Sequence, residues 1–466
     1  MTLLARSTPE AEGITSSAIL DFVRAADAEL DSLHSLMVVR HGRVVAEGWW
    51  HPYAAKDPHM MFSVSKSFTS TAVGLAVSEG LLTLDDRIVD LLPDDLPTDI
   101  DANLAALTVR HLLTMSTGHA SDTVELADSS HGDNWVRAIL AQPLEFAPGT
   151  HYVYNSGATH MLSAVLQRLT GQRLLDYLEP RLFTPLGITG ATWESSPQGI
   201  DAGGWGLSIT TEQLAVFGQL LLQRGRWDDR QLVPAEWIDE ATSAQVDTSG
   251  TDHDLDGRQG YGYQFWRNRL GGYRADGAFG QVCIVLPQQD AVVVLTSALP
   301  VAQTALDLVW KHLLPAFGES TLPTPLPVPS ETALADELAA LTLTTVPGER
   351  TTETADRVAG IRFVFDQSSV SAITVQPHVF TIDEGGAITV LPFGTGEWVE
   401  SAGGRLWASG AWTSADTLIV RAHAVRTPYS RTATLTFADD VVTLDITQNV
   451  AFGDLPHTHA VSLPHN

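Results

Sequence analysis

Apolar and polar positions give this chain two textures. As far as about residue 315, helical periods alternate with a few strand-like runs; from about residue 355 only short strand-like runs remain. Ser16 or Ser17 is expected to cap a helix whose apolar face is Ile19, Phe22, Val23 and Ala26. Residues 36–40 and 43–46, separated by His41-Gly42, read as a β-hairpin in which His41 is only a turn residue. Ala72, Val73, Leu75, Ala76 and Val77 continue a helix that starts near Ser63 and stops at Gly80. Helical patterns then dominate to about residue 225, including 109–113, 161–169 and 211–222. Strand-like runs return at 261–266, 282–286 and 291–296, before a helix over 302–314.

The early hairpin and the late strands are expected to share one antiparallel sheet. The predicted fold is therefore α+β: residues 1–318 form a sheet flanked by helices, with an all-helical insert over about 67–225. Active sites often lie at such junctions. Pro323, Pro325, Pro327 and Pro329 alternate with other residues and predict a stiff linker, which with a short helix over 332–341 occupies 319–354. Residues 355–466 hold strand-like runs at 361–365, 387–391, 418–421, 432–437 and 441–446. They predict a C-terminal antiparallel β-barrel or sandwich.

Composition narrows the function. The 466 residues are 44% hydrophobic and 18% charged, enough to bury large cores. A net charge of −28 argues against binding nucleic acid or an anionic membrane through bulk electrostatics. A single cysteine, Cys283, excludes an internal disulfide and a zinc–cysteine cluster, and its apolar flanks make it a core residue. The first residues are too short and too soon polar for a secretory leader, and no run approaches a membrane span, so a cytoplasmic protein is expected.

The chemistry centres on Ser63-Val64-Ser65-Lys66. Residues i and i+3 share a helix face, so the Lys66 amine can sit over the Ser63 hydroxyl. Serine is a weak nucleophile until a base takes its proton, and lysine serves as that base only if its pKa is pulled towards neutrality. Lysine is scarce here, the others being Lys56 and Lys311, so one at an apolar helix start is less easily incidental. A second element is Tyr154-Asn155-Ser156, behind the turn Pro148-Gly149. A third is Ala275-Asp276-Gly277-Ala278, before the Cys283 strand, where glycine lets backbone approach a ligand. Each is weak alone: Tyr154 could be a packed aromatic and Gly277 a bulge.

Together these elements resemble the serine β-lactamase and penicillin-binding-protein superfamily in its class C-like branch, with its carboxylesterases, D-aminopeptidases and 6-aminohexanoate-dimer hydrolase. The resemblance spans roughly residues 10–315 and extends to 112–119, 203–207 and 261–266. It implies that Ser63 is acylated, that Lys66 accepts its proton or holds the acceptor, and that Tyr154 relays a proton to the leaving group. It implies an oxyanion hole from the backbone N–H groups of Ser63 and Ala278, with Ser156 and Gly277 binding substrate.

Two departures bear on substrate. The family's Lys-Thr-Gly or His-x-Gly is Ala275-Asp276-Gly277, which lacks a cation for a substrate carboxylate, and Tyr-x-Asn has become Tyr-x-Ser. The resemblance thus implies a neutral or cationic ester or amide. A D-aminopeptidase or β-lactam hydrolase is the alternative, and a sensor that binds a ligand or is acylated by it without turnover is another. No Gly-x-Ser-x-Gly elbow occurs, which counts against an α/β-hydrolase. No cofactor or metal is expected: His457, His459 and His465 read as a solvated tail without a ligand set. His111, His119, His131 and His160 read as caps or core-edge residues, and His151 is the histidine expected near the cleft.

Overall fold

Strands β1 (Ala5–Arg6), β2 (Leu33–Arg40), β3 (Arg43–Trp49), β4 (Trp266–Arg267), β5 (Tyr273–Gly277), β6 (Gln281–Leu286) and β7 (Ala291–Ser297) form the main sheet of the computed structural model. Their order is β1-β3-β2-β7-β6-β5-β4, antiparallel except for the β1–β3 pair. The structure describes residues 2–30, 32–124, 133–318 and 331–463. The proline-rich stretch at 319–330, His131 and His465 lie outside them.

Every residue of β2 and β7 is buried, which is why each holds an apolar run, Leu36–Val39 in β2 and Ala291–Leu295 in β7. Side chains still alternate between faces. Met37, Val39, Val292 and Val294 enter one core, with helices α2 (Ser65–Ser78), α3 (Ser156–Thr170) and α4 (Thr211–Leu222). Leu36, Val38, Val293 and Leu295 enter the other, with α1 (Ser16–Glu29) and the helical run that starts at Gln303. The cap of α1 is Thr15 rather than Ser16 or Ser17; its side chain accepts the Ala18 N–H. His41 and Gly42 both have positive φ, as a two-residue hairpin turn requires.

The expected strand at 261–266 is mostly a loop, with only Trp266 in the ladder β4. Gln264 has φ +66°, and its contacts replace those of a ladder. Its side-chain amide donates to the carbonyls of Leu112 and Leu113 at 3.1 and 2.9 Å, and its main-chain carbonyl accepts from Ser67 at 2.8 Å.

The C-terminal region forms two antiparallel sheets about one core. The first holds β8 (Arg362–Val364), β9 (Ala372–Gln376), β10 (Val379–Glu384) and β11 (Ala387–Pro392). The second holds β12 (Val399–Glu400), β13 (Leu406–Trp412), β14 (Thr417–Ala424), β15 (Ser430–Ala438), β16 (Val441–Gln448) and β17 (His457–Val461). The sheets touch through single bridges, Phe365–Ser462 and Gly394–Ser409, so the barrel allowed by the sequence is not closed. His457 and His459 are not a tail: they sit on β17, and both bond Asp445, at 3.2 and 2.8 Å.

The β-domain is fastened beside the start of α2. The Met60 N–H donates to the Arg426 carbonyl at 2.9 Å, and the Tyr53 hydroxyl to the Thr427 carbonyl at 3.2 Å. Behind these bonds lies a buried histidine group. His34 stacks on Tyr53 at 3.7 Å and bonds His59 at 3.1 Å, while His423 of β14 meets Tyr53 and Trp398 edge-on. Among the described residues no helix is long and apolar enough to cross a membrane.

Burial holds these imidazoles neutral, His59 down at about 4 and His423 at about 3, with His34 also well below its ordinary value. Above about pH 6.5 they are neutral in both the folded and the unfolded chain and add no pH dependence. As pH falls through 6.5 the unfolded chain gains protons that the fold excludes, so stability is lost towards pH 4. The urea midpoint is expected to fall between pH 7 and 4.5, and less steeply in His423→Phe; equal slopes would show that this histidine is not responsible.

Candidate active site

Twelve residues of α2, Ser65 to Ala76, are buried, so its polar side chains need partners. Four of them, Ser65, Lys66, Ser67 and Thr69, find one outside the helix. Ser65 Oγ accepts the Leu207 N–H at 3.1 Å. Ser67 and Thr69 donate to the carbonyls of Gln264 and Gly203, each at 2.8 Å. Lys66 Nζ lies 2.8 Å from the Gly204 carbonyl, 3.0 Å from Ser156 Oγ and 2.9 Å from Ser63 Oγ. A Cβ on Gly204 would come within 2.8 Å of the Ser156 carbonyl, so only glycine lets this backbone reach Lys66.

Ser63 sits in a tight turn, Phe62–Val64, that runs directly into α2. Phe62 has φ +47°, a conformation that bulky residues rarely adopt. Tyr154 approaches from the other side. Its ring centroid is 4.8 Å from Lys66 Nζ, its hydroxyl lies beside Ser63, and it stacks on Trp266 at 5.7 Å. The next residue, Asn155, caps α3: its Oδ1 accepts from the N–H groups of Ala158 and Thr123 and from Thr123 Oγ1.

Burial draws the Lys66 amine down to about 7, opposed by the negative charge of Asp122. Burial pushes the Tyr154 phenol up, partly offset by its Ser63 hydrogen bond, and the charges of Asp276 and Asp122 push it further. At neutral pH the amine is thus the readier proton acceptor and the phenol stays protonated.

Of the third element, Gly277 ends β5 against the Ser63 turn; a Cβ there would lie 2.3 Å from the Met61 carbonyl. The Gly277 carbonyl accepts the Gly280 N–H at 3.3 Å, so Ala278 lies within a tight turn at the end of β5. Asp276 is paired with the buried Arg274 at 2.6 Å. The negative charge of Asp276 is therefore offset by a guanidinium within the protein.

The structure thus brings Ser63, Lys66, Tyr154 and Ser156 into direct contact and packs Gly277 and Ala278 beside them. Ser156 is nearly buried and its hydroxyl is engaged by Lys66. His151 is exposed and stacks on Phe146; the imidazole beside Tyr154 is His253, at 6.5 Å. His111 caps its helix, whereas His119 and His160 are buried. Sequence reasoning missed Asp122, Asn155 and His253. Asn155 alone carried a signal, a helix-capping residue before an apolar period.

The Beta-lactamase family model matches residues 32–312. The chain belongs to that family. It is 25% identical over 298 residues to the 6-aminohexanoate-dimer hydrolase of Paenarthrobacter ureafaciens, covering 57% of this chain and 72% of that one. It is 30% identical over 176 residues to Esterase EstB of Burkholderia gladioli, covering 33% and 44%. The fold of the octameric penicillin-binding protein homologue from Pyrococcus abyssi covers 96% of this chain and 98% of that one, with a TM-score of 0.50 at 17% identity. These relatives place this β-lactamase-family chain among hydrolases that include esterases.

If Asp122 holds the Lys66 proton in place, Asp122→Asn should move the ascending limb of the kcat/KM profile, expected near pH 7, to lower pH. Asparagine keeps an acceptor for the Ser156 N–H, which Asp122 Oδ1 now takes at 2.7 Å. A limb that stays put would remove Asp122 from this role.

Proposed function

We propose that this protein cleaves a small, neutral ester or amide through an acyl-enzyme on Ser63. Lys66 takes the Ser63 proton as the hydroxyl attacks the carbonyl. The Ser63 and Ala278 N–H groups stabilise the oxyanion, a device worth roughly a hundred- to a thousand-fold in rate per donor. Tyr154 passes the proton to the leaving group and then orients the water that releases the acyl group. Ser156 steadies the amine, and Gly277 lets the strand edge come close to the carbonyl.

The observation that carries this reading is one buried amine in contact with the hydroxyls of Ser63 and Ser156, with no carboxylate bonded to it among the described residues, and a phenol beside the same Ser63. A structural lysine at an ordinary helix start would be solvated. The adjacent Arg274–Asp276 pair supports a neutral substrate, because its guanidinium is spent within the protein. The D-aminopeptidase or β-lactam alternative requires a free charge to hold a terminal amine or a carboxylate.

Ser63→Ala should lower turnover of a p-nitrophenyl ester by about 10⁴-fold or more and abolish fluorophosphonate labelling. Full activity in this variant would end the assignment. Tyr154→Phe should cost about 10²–10⁴-fold in kcat. In pre-steady-state kinetics the wild-type protein should show a burst followed by steady turnover; a burst alone would favour an acylated sensor. Nitrocefin should be a poor substrate, and efficient hydrolysis would restore the β-lactam reading.

A further inference from the structure

We propose that the two domains jointly build an aromatic face beside Ser63, and that it receives an apolar acyl group of the substrate. This rests on the assignment of Ser63 as nucleophile. Two of the four rings belong to the residues that flank the oxyanion donors: Phe62 precedes Ser63, and Phe279 follows Ala278. Both have positive φ, +47° and +63°, and their rings meet edge to face at 5.3 Å. Bulky residues rarely adopt this backbone, so two of them doing so side by side marks a placement set by function or by forced packing.

The other two rings come from the β-domain. Tyr429, just before β15, lies 6.3 Å from Phe62 and 6.1 Å from Phe279. Phe452, between β16 and β17, lies 6.0 Å from Phe62 and 5.0 Å from Phe279. The turn that carries Tyr429 is tied to the catalytic domain by the Met60–Arg426 and Tyr53–Thr427 bonds, so its position is set by that domain. Packing accounts for Phe62, which is buried, but not for Phe452. That ring is 72% exposed, more than any other large apolar side chain among the described residues. An exposed phenylalanine held against two strained rings beside a candidate nucleophile has surface to give to a ligand.

Tyr154 belongs to a different ring group, with Trp266, Tyr261 and Tyr152. The proposed proton donor to the leaving group thus stands among its own rings, and the Phe62–Phe279 face is left for the acyl side. Its four rings carry one phenol and no ionic group, which fits an alkyl or aryl acyl chain.

The experiment compares kcat/KM for p-nitrophenyl acetate, butyrate and hexanoate, which share a leaving group. The wild-type protein is expected to prefer the longer chains. In Phe452→Ala the hexanoate-to-acetate ratio should fall about tenfold, mainly through KM, and recover in Phe452→Leu. Ile388→Ala, at an exposed site on β11 away from the face, should keep the wild-type ratio. Phe452 is exposed, so its truncation leaves no core cavity. An unchanged ratio in Phe452→Ala, or a wild-type protein that prefers acetate or turns over none of these esters, overturns the proposal. Fluorophosphonate labelling lost in Ser63→Ala, together with an unchanged ratio in Phe452→Ala, would overturn the aromatic face alone and leave the nucleophile standing.

Discussion

Removing the Lys66 amine from water is the constraint on which the site depends. In solution the amine would be charged at neutral pH and useless as a base. Within α2 it is surrounded by a carbonyl and two hydroxyls, and burial outweighs the charge of Asp122. A helix buried along most of its length makes this environment, and such a helix tolerates Ser65, Lys66, Ser67 and Thr69 only because each bonds a loop. The same bonds that satisfy the helix therefore gather the loops around Ser63. Catalytic geometry and core stability are set by one group of contacts.

The surrounding loops are held in unusual conformations. Phe62, Met115, Gln264 and Phe279 all have positive φ without being glycine, each at a cost of about 1–3 kcal/mol that neighbouring structure must offset. The offsets are visible. The Gln264 side chain bridges two carbonyls, Met115 Sδ accepts the Asn155 N–H at 3.2 Å, and the Phe279 carbonyl accepts from Ser297 Oγ at 2.8 Å. Gly204 and Gly277 stand where a side chain would collide with backbone. These four residues and two glycines surround one serine, where preorganisation has most effect.

The β-domain is part of this arrangement. Its β14–β15 turn is bonded to the strand that precedes the Ser63 turn, and its interface buries histidines that are neutral in the fold. Acidification and domain contact are thereby linked, because protonated imidazoles cannot remain in that apolar interface without a counter-charge.

The sequence by itself determined the elements whose signal is local. The hairpin of β2 and β3, helices α1 to α4, the Cys283 strand and the change to β structure near residue 355 follow from periodicity and turn residues. Ser63 and Lys66 were legible because they lie one helical turn apart. Tyr154, Ser156 and Ala278 needed the family resemblance, since nothing local ties residue 154 or 278 to residue 63. Only the tertiary structure decided the rest: that 261–266 is a side-chain-braced loop, that two sheets share a core without closing a barrel, and that Asp122, His253 and Phe452 stand where they do. A period records which face of an element is buried, but not which distant surface buries it. The pKa of Lys66, the pairing of Arg274 with Asp276 and the ring face shared by two domains all depend on that distant surface.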